Sequence, residues 1–117
     1  MSAPVRDQKT YIEELHGLLN ETVKWVDAYS VLEQHKEEDI YYHSDHHWTS
    51  LGAYYAFHAY ADVAGIEVKE EDWKCLLVSD TFHGTLTGKS GYTGRSSDEL
   101  YVYVPTGYVF AIHCSIY

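Results

Sequence analysis

Apolar residues recur every three or four positions in two parts of the N-terminal half, which is the spacing of an amphipathic helix. In the first part, residues 8–20, the recurring side chains are Tyr11, Ile12, Leu15, Leu18 and Leu19. In the second part, residues 49–65, they are Ala53, Phe57, Tyr60, Ala61 and Ala64. Thr49 suits an N-cap and Gly65 suits a C-cap, so the second helix has defined ends. We predict helices over both stretches and a shorter helix over residues 28–36.

Alternating or β-rich stretches predict strands between and after these helices. The predicted strands cover residues 22–27, 40–42, 75–79, 100–104 and 108–112. The last two flank a Pro-Thr-Gly turn at 105–107 and therefore predict a β-hairpin. Residues 82–92 are rich in Gly, Thr and Ser and predict a long loop. Because helices alternate with strands, we expect an α/β fold with a C-terminal β-hairpin extension.

Size and charge narrow the class of protein. A chain of 117 residues forms one domain. Its net charge of −10 argues against binding to nucleic acid, which needs an excess of Lys and Arg, and against adhesion to anionic membranes. No apolar run approaches the ~18 residues of a membrane span, and no signal segment is visible. A disulfide between Cys75 and Cys114 stays open, because pairing depends on their folded distance.

Residues 41–49 concentrate the reactive side chains of the sequence, since they hold three of its eight histidines. One reading is catalytic. The Asp45 carboxylate can accept a hydrogen bond from one imidazole nitrogen of His47 and leave the other nitrogen free to take a proton from a nucleophile. Trp48, the next residue, could wall the pocket and exclude water.

A second reading is a metal site. His43, Asp45 and His47 alternate, so on an extended segment all three could face one way, and His46 is an extra candidate ligand. Two imidazoles and one carboxylate suit zinc or non-haem iron. A third reading is that these histidines are exposed loop residues with neither role.

A longer pattern surrounds this cluster. The run Tyr41-Tyr42-x-Ser44-Asp45-His46-His47-Trp48-Thr49-x-x-Gly52-Ala53-Tyr54-Tyr55 resembles the signature of the DHHW protein family. That family is in turn similar to the SGNH-hydrolase-like domains of bacterial polysaccharide O-acetyltransferases, such as the alginate O-acetyltransferases. A second segment, Phe82-x-Gly84-Thr85-Leu86-Thr87-x-Lys89-Ser90-Gly91, also resembles the family.

The resemblance implies an SGNH-like three-layer α/β unit that transfers or removes an acyl group, namely acetyl, on a cell-surface carbohydrate. It implies that His47 is the general base and then the general acid, and that Asp45 orients it. Tyr42 and Trp48 are the expected substrate contacts. The resemblance implies no metal or other cofactor, and an extracellular or cell-surface location for the parent family.

The nucleophile is the missing part of this pattern. The later serines are Ser50, Ser79, Ser90, Ser96, Ser97 and Ser115. None lies in a recognisable nucleophile elbow, and Ser90 is the least unsuitable. We therefore expect a fragment or degenerate relative that lacks the nucleophile-bearing part. The alternative is a non-catalytic binding or structural domain. An incomplete sheet would leave exposed edges, so a homodimer is plausible.

Overall fold

Side-chain caps set where the first three helices begin. The computed structural model describes residues 5–91 and 97–107. Helix α1 spans Gln8–Gly17, α2 spans Ala28–Gln34 and α3 spans Ser50–Ala64. Each is preceded by an Asp or Thr whose side-chain oxygen accepts from a backbone N–H of the first turn, which satisfies a donor that the helix itself leaves unpaired. These caps are Asp7, Asp27 and Thr49.

The remaining elements form a two-stranded antiparallel sheet and a short helix. A single 3-10 turn at Glu70–Asp72 leads into strand β1, Trp73–Phe82. Helix α4, Thr85–Ser90, follows, and strand β2 covers Asp98–Pro105. The two strands pair directly, and irregularities interrupt their register after Leu77. The described residues therefore make a mixed α/β arrangement with one small sheet.

Helix α3 is the element around which the core forms. It contacts α2 on one side and β2 on another. The apolar residues that are buried, Leu32, Ile40 and Ala61, come from α2, the loop after it, and α3. Tyr54 on α3 stacks on Tyr103 of β2 with ring centroids 4.5 Å apart. The core is small, because no large side chain among the described residues is fully buried.

Helix α3 also approaches the chain at a point where only glycine fits. A Cβ at Gly52 would overlap the Ile40 carbonyl oxygen and would lie 3.2 Å from the Cβ of Trp48. The Thr49 N–H donates to the same Ile40 carbonyl at 2.9 Å. The backbone before the helix and the first turn of the helix are therefore in direct contact.

The structure confirms the three predicted helices, reduces the predicted strand at 40–42 to a single bridge between Tyr41 and Trp48, and corrects two longer segments. Helix α3 begins and ends at its predicted caps, and Gly65 takes a left-handed conformation with φ of 72°. Residues 22–27 are not a strand. Asn20 accepts a hydrogen bond from the Thr22 N–H at 2.9 Å, and the Trp25 ring stacks on His16 at 4.5 Å, so this segment folds back on α1.

The second correction concerns the Gly-rich stretch, which is not one long loop because it contains helix α4. Strand β2 is present where a strand was predicted, but its described partner is β1. The other predicted arm of the hairpin, residues 108–112, lies outside the described residues. Cys114 does too, so the possible disulfide stays untested, while Cys75 is exposed and has no disulfide partner among the described residues.

None of the helices formed by residues 5–91 and 97–107 combines the length and apolar character that a bilayer crossing requires.

We predict that Gly52→Ala destabilises the chain although alanine favours a helix. The added methyl group would overlap backbone atoms, which cannot move aside as a flexible side chain can. Such overpacking lowers the free energy of unfolding by about 2 kcal/mol in well-packed proteins. Gly17→Ala is the matched control, since a Cβ there meets nothing within 4 Å. Urea denaturation followed by circular dichroism should show a lower midpoint for Gly52→Ala and an unchanged or higher one for Gly17→Ala. Equal midpoints would contradict the close approach.

Candidate functional site

Residues 41–48, which we call the signature loop, form a closed turn before α3. Tyr41 and Trp48 pair as an isolated antiparallel bridge, and the Tyr42 N–H donates to the His47 carbonyl at 3.3 Å. The Trp48 indole N–H donates to the Tyr41 hydroxyl at 2.8 Å. The residues between them follow a series of bends and not an extended strand. The alternation expected for an extended segment is therefore wrong.

The Asp45 carboxylate is the centre of the loop. It is only 7% exposed and accepts four hydrogen bonds. On Oδ1 the donors are the His47 N–H, at 2.9 Å, and the His47 ring nitrogen Nδ1. On Oδ2 they are the Thr85 N–H, at 2.8 Å, and the Thr85 hydroxyl, at 3.0 Å.

These bonds keep Asp45 ionised. The Thr85 backbone N–H lowers the pKa of the Asp45 carboxyl most, and the two bonds from His47 and the one from the Thr85 hydroxyl add to it against the opposing effect of desolvation. The pKa therefore lies well below the usual value. Because Thr85 is the first residue of α4, Asp45 also caps that helix from forty residues away in sequence.

Gly84 lets this capping carboxylate come close. A Cβ at Gly84 would overlap the Cβ of Asp45 and would lie 2.6 Å from its Oδ2. The Ser44 carbonyl accepts from the Leu86 N–H at 3.1 Å and from the Thr87 N–H at 3.3 Å. Helix α4 therefore rests with its first turn directly on the backbone of the signature loop.

A second buried carboxylate, Asp98 at the start of β2, holds the other side of the loop. It accepts from the His43 N–H at 3.0 Å, the Ser44 N–H at 2.9 Å and the Ser44 hydroxyl. The His43 ring nitrogen Nδ1 lies 3.2 Å from the same carboxylate. Burial acts to raise the pKa of Asp98, but the bonds from Ser44 and His43 outweigh it and the pKa is lowered. The Ser44 hydroxyl oxygen also accepts from the Gly84 N–H at 2.9 Å.

The sequence did not identify Asp98 or Thr85 as site residues. Thr85 lies in the second segment that resembles the DHHW family, and that resemblance is the signal that could have found it. Asp98 follows Ser97 at the start of a strand, and this local sequence does not distinguish a buried acidic residue from an exposed one. Its role depends on a contact with residues more than fifty positions earlier in the chain.

The structure brings Asp45 and His47 into hydrogen-bonding contact, as expected for a dyad. The His47 side chain is 67% exposed, and the described residues offer no partner to its other ring nitrogen, Nε2. An imidazole held at Nδ1 by a carboxylate and open at Nε2 is the arrangement that a general base needs. The catalytic role itself stays a prediction.

The possible metal ligands are grouped differently from the prediction. One ligand atom each from Asp45, His46 and His47 lie within 4.8 Å of one another. His43 is not in this group, because its ring lies against Asp98. His46 takes its place, with Nδ1 at 3.7 Å from Asp45 Oδ1 and 3.3 Å from the Thr85 hydroxyl.

The two predicted substrate contacts, Tyr42 and Trp48, differ in their surroundings. Tyr42 is half-buried against Phe82, at 5.0 Å between ring centroids, and lines a cleft of about 730 Å³. Trp48 is exposed and does not belong to the lining of that cleft. Only Tyr42 is thus positioned at a concave surface, and substrate contact by either residue stays a prediction.

Comparison with known proteins covers nearly the whole chain. A family model described as "DHHW protein" matches residues 2–112. A crystal structure of a DHHW family protein from Eubacterium siraeum is similar to this chain, with 34% identity and a TM-score of 0.75. The match covers 86% of this chain and 34% of that one, so this chain spans about a third of that protein's length. No curated protein matches the chain significantly.

We predict that the stability of the chain falls in acid because of Asp45. Its pKa is lowered on folding, so its contribution is complete above the unfolded pKa of about 4 and is lost as the pH falls through the folded value. Urea midpoints measured from pH 7 to pH 3 should fall less steeply for Asp45→Asn than for the natural chain. Parallel curves would show that Asp45 does not carry the effect.

A second prediction concerns the contact between α4 and the loop. Gly84→Ala should destabilise the chain by about 2 kcal/mol, because the methyl group overlaps Asp45. Gly88→Ala, in the same helix with nothing within 4 Å of its Cβ, should be neutral or stabilising by about 0.5 kcal/mol. In two-dimensional NMR, Gly84→Ala should shift the His47 amide and Gly88→Ala should leave it in place. An undisturbed His47 amide in Gly84→Ala would argue against the packing described.

Proposed function

The chain belongs to the DHHW family, and we propose that Asp45 and His47 form the acid–base half of a serine-dependent acyl-transfer centre that acts on carbohydrate. One observation carries the proposal. The buried Asp45 carboxylate accepts from Nδ1 of an exposed imidazole and is itself fixed by two bonds from Thr85. An orienting carboxylate on one nitrogen, with the other nitrogen open, defines this half of a triad.

The proton path follows from this geometry. With the Nδ1 proton donated to Asp45, the lone pair of His47 is on Nε2. That nitrogen takes the hydroxyl proton of a serine as the serine oxygen bonds to the acyl carbon. It then gives the proton to the departing alcohol as the bond between acyl carbon and leaving oxygen breaks. Asp45 stays ionised throughout because its pKa is low, so it stabilises the imidazolium without taking the proton.

The nucleophile in this proposal comes from a part of the protein outside this chain. Ser44 is next to the dyad in sequence, but its hydroxyl is engaged by Asp98 and by the Gly84 N–H. In the same proposal, the elements described are part of an SGNH-like three-layer unit. The acyl group is acetyl, and the carbohydrate is at or outside the cell surface.

The contacts with partners are also part of the proposal. Tyr42 and Trp48 contact the substrate, Tyr42 from within the cleft. No further strand in the described part of the chain covers the edges of the β1–β2 sheet, which leaves room for a homodimer.

A metal centre is the second candidate, favoured by the grouping of Asp45, His46 and His47. The hydrogen bonds of the Asp45 carboxylate argue against a metal ion at this position. Two oxygens offer about four acceptor positions, and four donors already use them. A metal ion would have to displace at least one of these bonds, and the bonds from Thr85 are those that hold α4. The hydrogen-bonded dyad therefore fits the residues better.

We predict that His47→Ala abolishes acyl transfer in protein expressed from the complete reading frame that contains this sequence. General acid–base catalysis contributes roughly 100-fold to 10,000-fold, so a loss of at least about 100-fold in kcat is expected. Transfer of acetyl from p-nitrophenyl acetate to oligosaccharides, followed by mass spectrometry, provides the measurement. The 117-residue chain alone should show little or no esterase activity.

His46→Ala is the matched control, because it removes the neighbouring exposed imidazole and leaves the dyad intact. It should keep kcat within about threefold in the dyad mechanism. Equal losses in both variants, together with zinc or iron in protein purified without added metal, would instead establish the metal centre. Full activity in His47→Ala would reject both.

A further inference from the structure

A cleft beside the signature loop is not explained by the dyad. Its volume of about 730 Å³ falls in the range of roughly 300–1,000 Å³ that is typical of small-molecule sites. One wall comes from residues 39–43 and the start of α3, and the opposite wall from β1 and β2. The Ser50 hydroxyl donates to the Tyr101 carbonyl, which joins the two walls.

Aromatic rings make up much of this lining. Four tyrosines contribute to it, namely Tyr41, Tyr42, Tyr101 and Tyr103. Tyr103 is fixed by stacking on Tyr54, and Tyr42 by its contact with Phe82. Tyrosine rings held in place present flat apolar faces with polar hydroxyl groups at their rims, which suits the faces and hydroxyl groups of a sugar ring.

Acidic side chains outnumber basic ones in the cleft, where the basic group among the described residues is the imidazole of His43, with Nδ1 3.2 Å from Asp98. Asp39, Asp98 and Glu99 line it, and no Lys or Arg from the described residues does. Asp98 is occupied by Ser44 and His43, whereas the one donor to Glu99 among the described residues is the Tyr101 hydroxyl, on Oε2 at 2.7 Å. The exposed Asp39 carboxylate is left to solvent. Two carboxylates beside tyrosine faces favour a cation, through ion pairing and through attraction to the rings.

We propose that this cleft binds an amine-bearing saccharide, with its ammonium group between Asp39 and Glu99 and its ring against the tyrosines. The inference rests on the proposed function, since it names the class of acceptor for the same centre. A uronate sugar is disfavoured, because its carboxylate would meet two like charges.

The cleft and the dyad share one piece of backbone. Tyr42 lines the cleft, and its N–H donates to the carbonyl of His47. His47 itself is not in the lining. A single sugar unit bound in the cleft therefore does not reach His47. The ligand that would contact both the cleft and the dyad is an oligosaccharide whose next unit passes along the signature loop.

Binding tests this inference without any need for catalysis. Isothermal titration and NMR at pH 6 would compare the trisaccharide of glucosamine with its N-acetylated form, with a triuronate and with spermidine. We expect the glucosamine trisaccharide to bind about tenfold or more tightly than the N-acetylated form, and the triuronate not to bind. Amides of the cleft tyrosines should shift. Equal binding of spermidine would overturn the saccharide part, and equal binding of the N-acetylated form would overturn the ammonium part.

Charge variants locate the site. Asp39→Asn and Glu99→Gln should each weaken binding of the glucosamine trisaccharide about two- to fivefold, the range for an exposed ion pair. Asp62→Asn on α3 is exposed, lies outside the cleft and changes the net charge equally, so it should leave binding unchanged. Equal weakening by all three would show attraction to the overall charge of −10 and would reject the cleft.

Two combinations of the binding and acyl-transfer results would distinguish failure of the cleft from failure of the dyad. Loss of acyl transfer in His47→Ala with no binding of the glucosamine trisaccharide would retain the dyad and reject the cleft. Binding that Asp39→Asn weakens, with acyl transfer unaffected by His47→Ala, would retain the cleft as a binding site and reject the dyad.

Discussion

The four hydrogen bonds accepted by the Asp45 carboxylate are the interaction on which the rest of the site depends. Two of the donors come from His47, two residues away, and two from Thr85, forty residues away. One buried group thus fixes a ring orientation, caps α4 and connects two segments that are far apart in sequence. Hydrogen bonds to an ionised acceptor are stronger than neutral ones, so removing this group leaves several donors unpaired at once.

Asp98 repeats this principle on the other side of the loop. It holds the backbone of His43 and Ser44, while the Ser44 hydroxyl oxygen in turn accepts from Gly84. The signature loop is therefore held between two carboxylates by bonds to its backbone. Such bonds fix the path of the chain whatever the side chains are, so the rings of His46 and His47 can be exposed while their backbone is held in place.

Features that depend on neighbouring residues could be predicted from the sequence. Features that depend on contacts between distant residues could not. The ends of helix α3 follow from Thr49 and Gly65, which act within a few residues. Its predicted apolar face is wrong in large part, because only Ala61 of the five predicted residues is buried. Residues 22–27 alternate like a strand, but a strand needs a partner, and the turn at Asn20 places Trp25 on His16 instead. Alternation alone says nothing about whether a partner exists.

The same limit applies to the site. The Asp45–His47 contact spans two residues and could be expected from spacing, whereas the pairing of His43 with Asp98 spans fifty-five and could not. Helix α4 was missed because the residue before it, Gly84, has no side chain to cap it. Its cap is Asp45, which no local pattern reveals.

Substitution of a residue that has both a structural role and a proposed catalytic role cannot separate the two roles. Replacing Asp45 releases His47 and α4 together, so a loss of activity would not distinguish a catalytic role from a structural one. His47 differs, because its side chain is two-thirds exposed and makes one side-chain bond among the described residues. Because His47 is exposed, water screens the interaction between its ring and Asp45. Electrostatic stabilisation becomes stronger when water is excluded from a site. If the proposed mechanism holds, the Asp45–His47 hydrogen bond is already formed in this chain, and its catalytic strength depends on a surface that covers the imidazole.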